Sequence, residues 1–296
     1  MKVFVTGASG FVGSAVVREL LAAGHQVLGL ARSDASAEML AAAGAEVQRG
    51  SLEDLDSLRS GASAADGIIH TAFIHDFSNF AHAAATDRTA IETLGAELEG
   101  SARPMIVTSG TGGLAAGRPV TEEDAAPPHV PRFSEAAAEA LAGRGVQVSI
   151  LRLPPSVHGQ GDHGFVPRLI EIARTKGVSA YPGDGSNRWA GVHRLDAAHL
   201  YRLALESAPS GTRVHAIAEE GILVREIAEA IGRQLNLPVV SIPVAQAGEH
   251  FGFLGAFVSM DIPASSALTR QRFDWQPTQI TLLADLSQDY YFKSED

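Results

Sequence analysis

The first thirteen residues constrain this chain most. A short apolar run, Val3-Phe4-Val5, passes straight into Thr6-Gly7-Ala8-Ser9-Gly10-Phe11-Val12-Gly13. The run has strand composition, and the residues beyond it set apolar side chains at Val12, Ala15, Val16, Leu20 and Ala23, the spacing of one helical face. A strand, a glycine turn and a helix in direct succession aim the first N–H groups of the helix, and the positive end of its dipole, at whatever lies beyond the turn. Gly7 supplies the tight turn, Gly10 the close approach and Gly13 the tight packing of helix on strand, which makes a cradle for a dinucleotide pyrophosphate. The expected contacts of this turn are Gly7, Ser9, Gly10, Phe11, Val12 and Gly13.

From residue 1 to about 160, β-rich runs near 2–6, 26–31, 45–49, 66–70, 104–109 and 146–152 alternate with helical runs near 11–23, 34–43, 54–60, 78–99 and 134–144. This rhythm predicts an α/β fold, a Rossmann-type doubly wound parallel sheet covered on both faces. Past residue 160, closely spaced glycines and prolines break the rhythm. A smaller mixed α/β substrate lobe is expected over 161–296, with helices at 165–176, 196–207, 224–235 and near 281–290 and short strands such as 213–217.

The end of the second strand decides which dinucleotide fits. An acidic residue there would hold a ribose 2′-hydroxyl; this chain has Ala31-Arg32-Ser33, a guanidinium and a hydroxyl suited to a 2′-phosphate. NADP is therefore expected over NAD. Asp34 is the alternative, as a ribose ligand with Arg32 merely solvated. Ser51 and Leu52 are expected to flank the adenine, Thr71 and Ala72 to pass under the ribose and phosphates, and Thr108 and Pro154 to complete the cofactor contacts.

Composition narrows the remaining classes. The net charge is −11, with twenty arginines against three lysines, a poor surface for nucleic acid. With no cysteine, disulfides and thiolate chemistry are excluded. No apolar stretch approaches the ~18 residues that span a bilayer, and Met1-Lys2 runs directly into the first strand, so a cytoplasmic protein without membrane partners is expected. Metal ligation is not expected, since His158 and His163 are five apart and His75 and His82 seven apart, neither a zinc spacing. No Gly-x-Ser-x-Gly elbow signals a serine hydrolase.

The glycine turn, Ile69-His70-Thr71-Ala72, Ile106-Val107-Thr108-Ser109, Leu151-Arg152 leading to Val157-His158-Gly159, and Val192-His193-Arg194-Leu195-Asp196-Ala197-Ala198 together resemble the extended short-chain dehydrogenase/reductase superfamily. The likeness lies near its epimerase/dehydratase and dihydroflavonol-reductase-like branches and covers nearly the whole chain. It implies that His193 and Asp196 tie the lobes together, and that the long helix 78–99 pairs with 134–144 in a homodimer, although alanine-rich helices suit intramolecular packing as well. It also implies a Tyr-x-x-x-Lys pair on the helix after the fifth strand. Here the four tyrosines, Tyr181, Tyr201, Tyr290 and Tyr291, have no lysine four residues on. Arg132 or Phe133 falls near the tyrosine position, alanine or glutamate near the lysine, and Gly110 nearest the usual serine.

Hydride chemistry at a carbonyl still needs a proton source, and histidine is the usual one near neutral pH. His75, next to Asp76, His158, His163 in a glycine-flanked loop, and Tyr181 are the candidates, with Ser109 and Thr111 as hydroxyl contacts to a substrate oxygen and Phe77, Phe165 and Trp189 lining an apolar pocket. The expected activity is NADP-dependent interconversion of a small carbonyl and alcohol. The alternatives are an epimerase or dehydratase, or a non-catalytic dinucleotide-binding sensor.

Overall fold

The structure, a computed structural model, describes residues 1–76, 79–115, 117–127 and 132–293. Seven parallel strands form the central sheet, in the order β10-β6-β5-β4-β1-β2-β3. These are β1 (Lys2–Thr6), β2 (Gln26–Ala31), β3 (Glu46–Arg49), β4 (Gly67–His70), β5 (Met105–Gly110), β6 (Val148–Leu153) and β10 (Arg213–His215). The helices between them are α1 (Phe11–Ala22), α2 (Asp34–Ala42), α3 (Leu55–Ser63), α4 (Phe80–Ala96), α5 (Ser134–Gly143) and α7 (Arg194–Ser207).

Both faces of the sheet are buried, and the period-two alternation of strand side chains divides the core. Val3, Val5, Ile69, Ile106 and Leu151 pack with the apolar sides of α1 and α7. Phe4, Ile68, Met105, Val107 and Ile150 face α3, α4 and α5 on the other side. The strand order reverses between β1 and β4, and in an open α/β sheet the crevice beyond the carboxyl ends at that reversal is where ligands bind.

The second lobe contains β7 (Ser156–His158), β8 (Ser179–Pro182), β9 (Arg188–His193), β11 (Glu219–Leu223), β12 (Val239–Ile242), α6 (Phe165–Lys176), α8 (Val224–Leu235), and the short helices α9 (Ala247–Phe251), α10 (Gly255–Val258), α11 (Ala267–Phe273) and α12 (Leu282–Asp285). Its strands form a three-stranded sheet, β11-β9-β7, and a two-stranded one, β12-β8.

Two expectations change. The run at 213–217, expected in the second lobe, gives β10, which pairs in parallel with β6 as the seventh strand of the main sheet. The helix expected near 281–290 is a single turn capped by the Thr281 hydroxyl, after which extended backbone at Gln288 separates it from a 3-10 turn, Asp289–Tyr291. No helix among the described residues is long and apolar enough to cross a membrane.

Candidate functional site: a dinucleotide turn and a polar cluster at the sheet's carboxyl edge

Gly7 has φ +68°, the left-handed region, and a Cβ there would stand 2.7 Å from the Ala72 nitrogen. The first turn of α1 begins at Gly10 with no side-chain cap and no acidic residue, so its N–H groups and dipole are left for an anion. A Cβ on Gly13 would stand 2.0 Å from the Gly7 carbonyl oxygen, whereas one on Gly10 would meet only that oxygen, at 3.1 Å. The Gly13 contact is internal packing, and the outward face at Gly10 is open space. Thr71 and Ala72 close the floor: Thr71 Oγ1 donates to the Thr6 carbonyl at 2.8 Å, and the Ala72 N–H donates to Thr6 Oγ1 at 3.4 Å. These features fit a pyrophosphate.

At the end of β2, Ala31 is buried while Arg32 and Ser33 are exposed. Ser33 Oγ accepts the Ser36 N–H as the cap of α2, and Ser9 Oγ lies 3.2 Å from Ser36 Oγ. Asp34, the alternative ribose ligand, is held by the guanidinium of Arg49, which also donates to the Ser33 carbonyl at 2.6 Å. Sequence reading missed Arg49, because its side chain reaches this corner only through the pairing of β3 with β2. Ser51 Oγ accepts the N–H groups of Glu53 and Asp54, and Leu52 is buried in the core beneath this end.

Beyond the carboxyl end of β4, the middle strand of the sheet, Phe73 collects two of the polar groups. The ring of His75 meets it edge-on at 5.5 Å, and the Arg132 guanidinium stacks over it at 4.4 Å. His75 is exposed to solvent, yet the protein packed beside it and the charges of Arg132 and His163 hold its pKa below the ordinary histidine value. His163 sits edge-on to Phe11 at 5.8 Å, and Arg194 stacks over the Phe11 ring at 5.0 Å. The loop before α6 and the first residue of α7 thus bring His163 and Arg194 onto the first residue of α1. Thr111 is fully buried and its hydroxyl has no hydrogen-bond partner among the described residues. Ser109 is buried on β5 opposite Arg152, and Pro154 is buried just beyond β6.

Beneath this cluster runs a buried polar chain that sequence reading did not find. Thr6 Oγ1 is 2.8 Å from His70 Nδ1, His70 Nε2 is 3.1 Å from Asp87 Oδ1, Ser134 Oγ donates to Asp87 Oδ2 at 2.5 Å, and Arg132 Nε donates to Ser134 Oγ at 2.9 Å. Burial favours the neutral acid at Asp87, yet the hydrogen bond from His70 and the nearby positive charges hold its pKa below the usual carboxylate value. With Asp87 ionised, its carboxylate accepts from His70 Nε2. Thr108 Oγ1 is committed below the site, to the His70 carbonyl and the Tyr201 hydroxyl, both at 2.7 Å. Tyr201 is fully buried, and burial pushes its pKa up, so it is no exposed proton donor.

Glu135, in the first turn of α5, is locked in a buried ion pair with Arg152, at 2.9 and 2.6 Å. Removing either partner of such a pair typically costs ~3–5 kcal/mol. This position carries fold stability.

Other sequence candidates lie elsewhere. His158 is fully buried on β7, with Nδ1 2.8 Å from Asp285 Oδ2 and the His193 ring edge-on at 5.3 Å. Tyr181 lies in β8, paired with β12. Trp189 is fully buried with its Nε1–H on the Phe257 carbonyl, and Phe165 packs against it in the second lobe's core. Neither aromatic belongs with the His75 cluster, and Phe77 lies outside the described residues. Asp196 receives the N–H groups of Thr278 and Gln279, tying α7 to the C-terminal segment. Among the described residues no group of three or more metal-ligating side chains gathers.

Comparisons with known proteins agree with this architecture. The sequence profile of an NAD(P)H-binding family matches residues 7–174. An uncharacterised protein of Schizosaccharomyces pombe is 52% identical over 295 residues, 99% of this chain and all of that protein. A 2-alkyl-3-oxoalkanoate reductase of Stenotrophomonas maltophilia is 30% identical over 224 residues, 71% of this chain and 67% of that protein. Among solved structures, a dTDP-glucose 4,6-dehydratase from Streptomyces venezuelae, with NAD and TYD bound, has a TM-score of 0.78 at 20% identity, covering 97% of this chain and 95% of that one. The chain belongs to the NAD(P)H-binding family, with the Rossmann-type fold of the extended short-chain dehydrogenases/reductases.

Proposed function

We propose that this chain is an NADP-dependent oxidoreductase that interconverts a small carbonyl compound and its alcohol. The observation that carries the reading is the convergence of His75, His163 and Arg132 at the carboxyl edge of the sheet, across the crevice from a glycine turn open to a pyrophosphate. The relative named as an oxoalkanoate reductase supports the reductase reading, and likeness to the dehydratase rests on fold alone. At the ribose, Arg32 and Arg49 offer two guanidiniums, while the Asp34 carboxylate is already held by Arg49. That arrangement favours a 2′-phosphate over a bare ribose hydroxyl.

The bound nicotinamide supplies hydride transfer. The chain's own residues bind it, shield it and manage the proton. The first turn of α1 holds the pyrophosphate, and Phe11 and Phe73 exclude water from the reacting end. His75 exchanges a proton with the substrate oxygen. Because its pKa lies below 6.5, the neutral ring is ready to accept a proton from an alcohol, and reduction draws on the smaller imidazolium population.

The test is titration with NADPH and NADH, followed by turnover against ketones and aldehydes. Tighter NADPH binding and carbonyl-dependent oxidation support the reading. Binding without any turnover would favour a sensor.

A further inference from the structure

We propose that Arg132 is the electrophile of this site, a guanidinium that binds the substrate's carbonyl oxygen and stabilises the negative charge that builds on it. The proposal rests on the oxidoreductase reading and deepens it by naming the group that takes over the tyrosine's work.

Two arginines near α5 make the argument by contrast. Arg152 is buried with a two-point ion pair to Glu135 and further bonds to the Thr121 and Asp124 carbonyls. It is neutralised and saturated. Arg132 is also largely enclosed, yet among the described residues no carboxylate touches it. Its Nε donates to Ser134 Oγ at 2.9 Å, one Nη2 hydrogen reaches the Thr108 carbonyl at 3.2 Å, and the plane lies on Phe73. Asp87 is reached only through Ser134. Nη1 donates to nothing among the described residues. An enclosed cation without a directly paired anion is costly to the fold, and that cost is intelligible where negative charge appears during a reaction.

The anchoring fits the role. Nε and Nη2 fix the plane of the fork, and Asp87, His70 and Thr6 fix Ser134 in turn, so the free N–H groups are preorganised. Ser134 and Asp87 are positioning residues, acting through Arg132. In the reduction, a bound reduced nicotinamide would supply the hydride for the new C–H bond and would itself be oxidised. The π pair of the C=O bond moves onto oxygen, where Arg132 holds it. Arg132 keeps its own proton, as a guanidinium does near neutral pH, and the alkoxide takes its proton from the His75 imidazolium or from water.

Three measurements decide the assignment. With a carbonyl substrate from the panel, Arg132→Met should lower kcat by roughly 100- to 1000-fold, the span for losing one oxyanion donor, with NADPH affinity within about threefold of the parent. Added guanidinium should restore at least about tenfold of the Arg132→Met rate and none to the parent. A rise in KM with kcat unchanged would make Arg132 a substrate anchor and overturn the proposal, as would kcat within about threefold of the parent. If Arg132→Met does not fold, Arg132→Lys keeps the charge without the fork, and its kcat should still fall at least about tenfold; full activity overturns the proposal. The third measurement needs no turnover, and so separates this proposal from the oxidoreductase reading. Benzoate, a carboxylate imitation of the oxyanion, should bind the NADPH-loaded protein and lose at least about tenfold in affinity with Arg132→Lys. Equal affinity, or no binding to the parent, overturns the assignment whatever the panel gives.

Discussion

A methyl group on Gly13 would stand 2.0 Å from the carbonyl oxygen of Gly7, while one on Gly10 would meet that same oxygen at 3.1 Å and nothing else within 4 Å. The two glycines therefore fail differently. Gly13→Ala forces α1 away from β1 and should destabilise the protein by ~1–3 kcal/mol, the cost of overpacking. Gly10→Val should leave the protein folded and abolish dinucleotide binding, because its side chain fills the pyrophosphate's space. Thermal unfolding with cofactor titration checks both. A folded Gly10→Val variant that still binds would show that the phosphates lie elsewhere.

Arg32 is exposed at the tip of β2 and makes no ion pair among the described residues, so its removal should leave the fold intact. Arg32→Ala should weaken NADPH binding by roughly 10- to 150-fold, the equivalent of ~1.5–3 kcal/mol for hydrogen bonds to a charged group, with NADH barely affected. Arg49→Ala should weaken NADPH as well and also loosen the Ser33–Asp34 corner that it ties down. Paired titrations of the two cofactors decide it.

His75→Asn should lower turnover by roughly two to four orders of magnitude, the span for a lost general acid or base, without changing cofactor affinity. Burial and the charges of Arg132 and His163 lower the His75 pKa, so the rate of carbonyl reduction should rise as pH falls through a value below 6.5. A limb above 6.5 would contradict the assignment. His158→Asn is the contrast: with its imidazole bonded to Asp285 in the second lobe, the loss should appear as ~1–3 kcal/mol of stability.

The first five strands and the first helix were legible to within about two residues, because parallel strands buried on both faces read as apolar runs and α1 carries one apolar face. The glycine turn was legible for the same local reason. The polar cluster was not. Arg132 with Ser134, Asp87 and His70 come from three separate segments, and only the stacking of α4 and α5 on β4 and β5 brings them into one chain of hydrogen bonds. His158 is among the sequence candidates for the proton source, but pairing of β7 with β9 buries it in the second lobe. β10 read as second-lobe sequence because it follows α7; its pairing with β6, Arg213 opposite Ile150, is too distant in the chain for local patterning to show.

Burial lifts the pKa of Asp162 to about 6, against the hydrogen bonds it receives from the Gly164 N–H and the Tyr291 hydroxyl. A carboxyl whose folded-state pKa is raised favours the fold at low pH and loses that contribution as pH rises through the folded value. Between pH 4 and about 6 the protein should lose on the order of 1–3 kcal/mol relative to Asp162→Asn, which has no proton to lose. Unfolding curves across that range check it; parallel pH profiles for the two proteins would remove the assignment.

The central claim, that the glycine turn binds NADPH for reduction of a carbonyl, is tested most directly by following oxidation of the reduced cofactor on adding a panel of ketones and aldehydes. The account predicts carbonyl-dependent oxidation with kcat/KM at least about tenfold higher for NADPH than for NADH, and none with Gly10→Val. Equal or faster use of NADH, or no oxidation of either cofactor by any carbonyl, would contradict it.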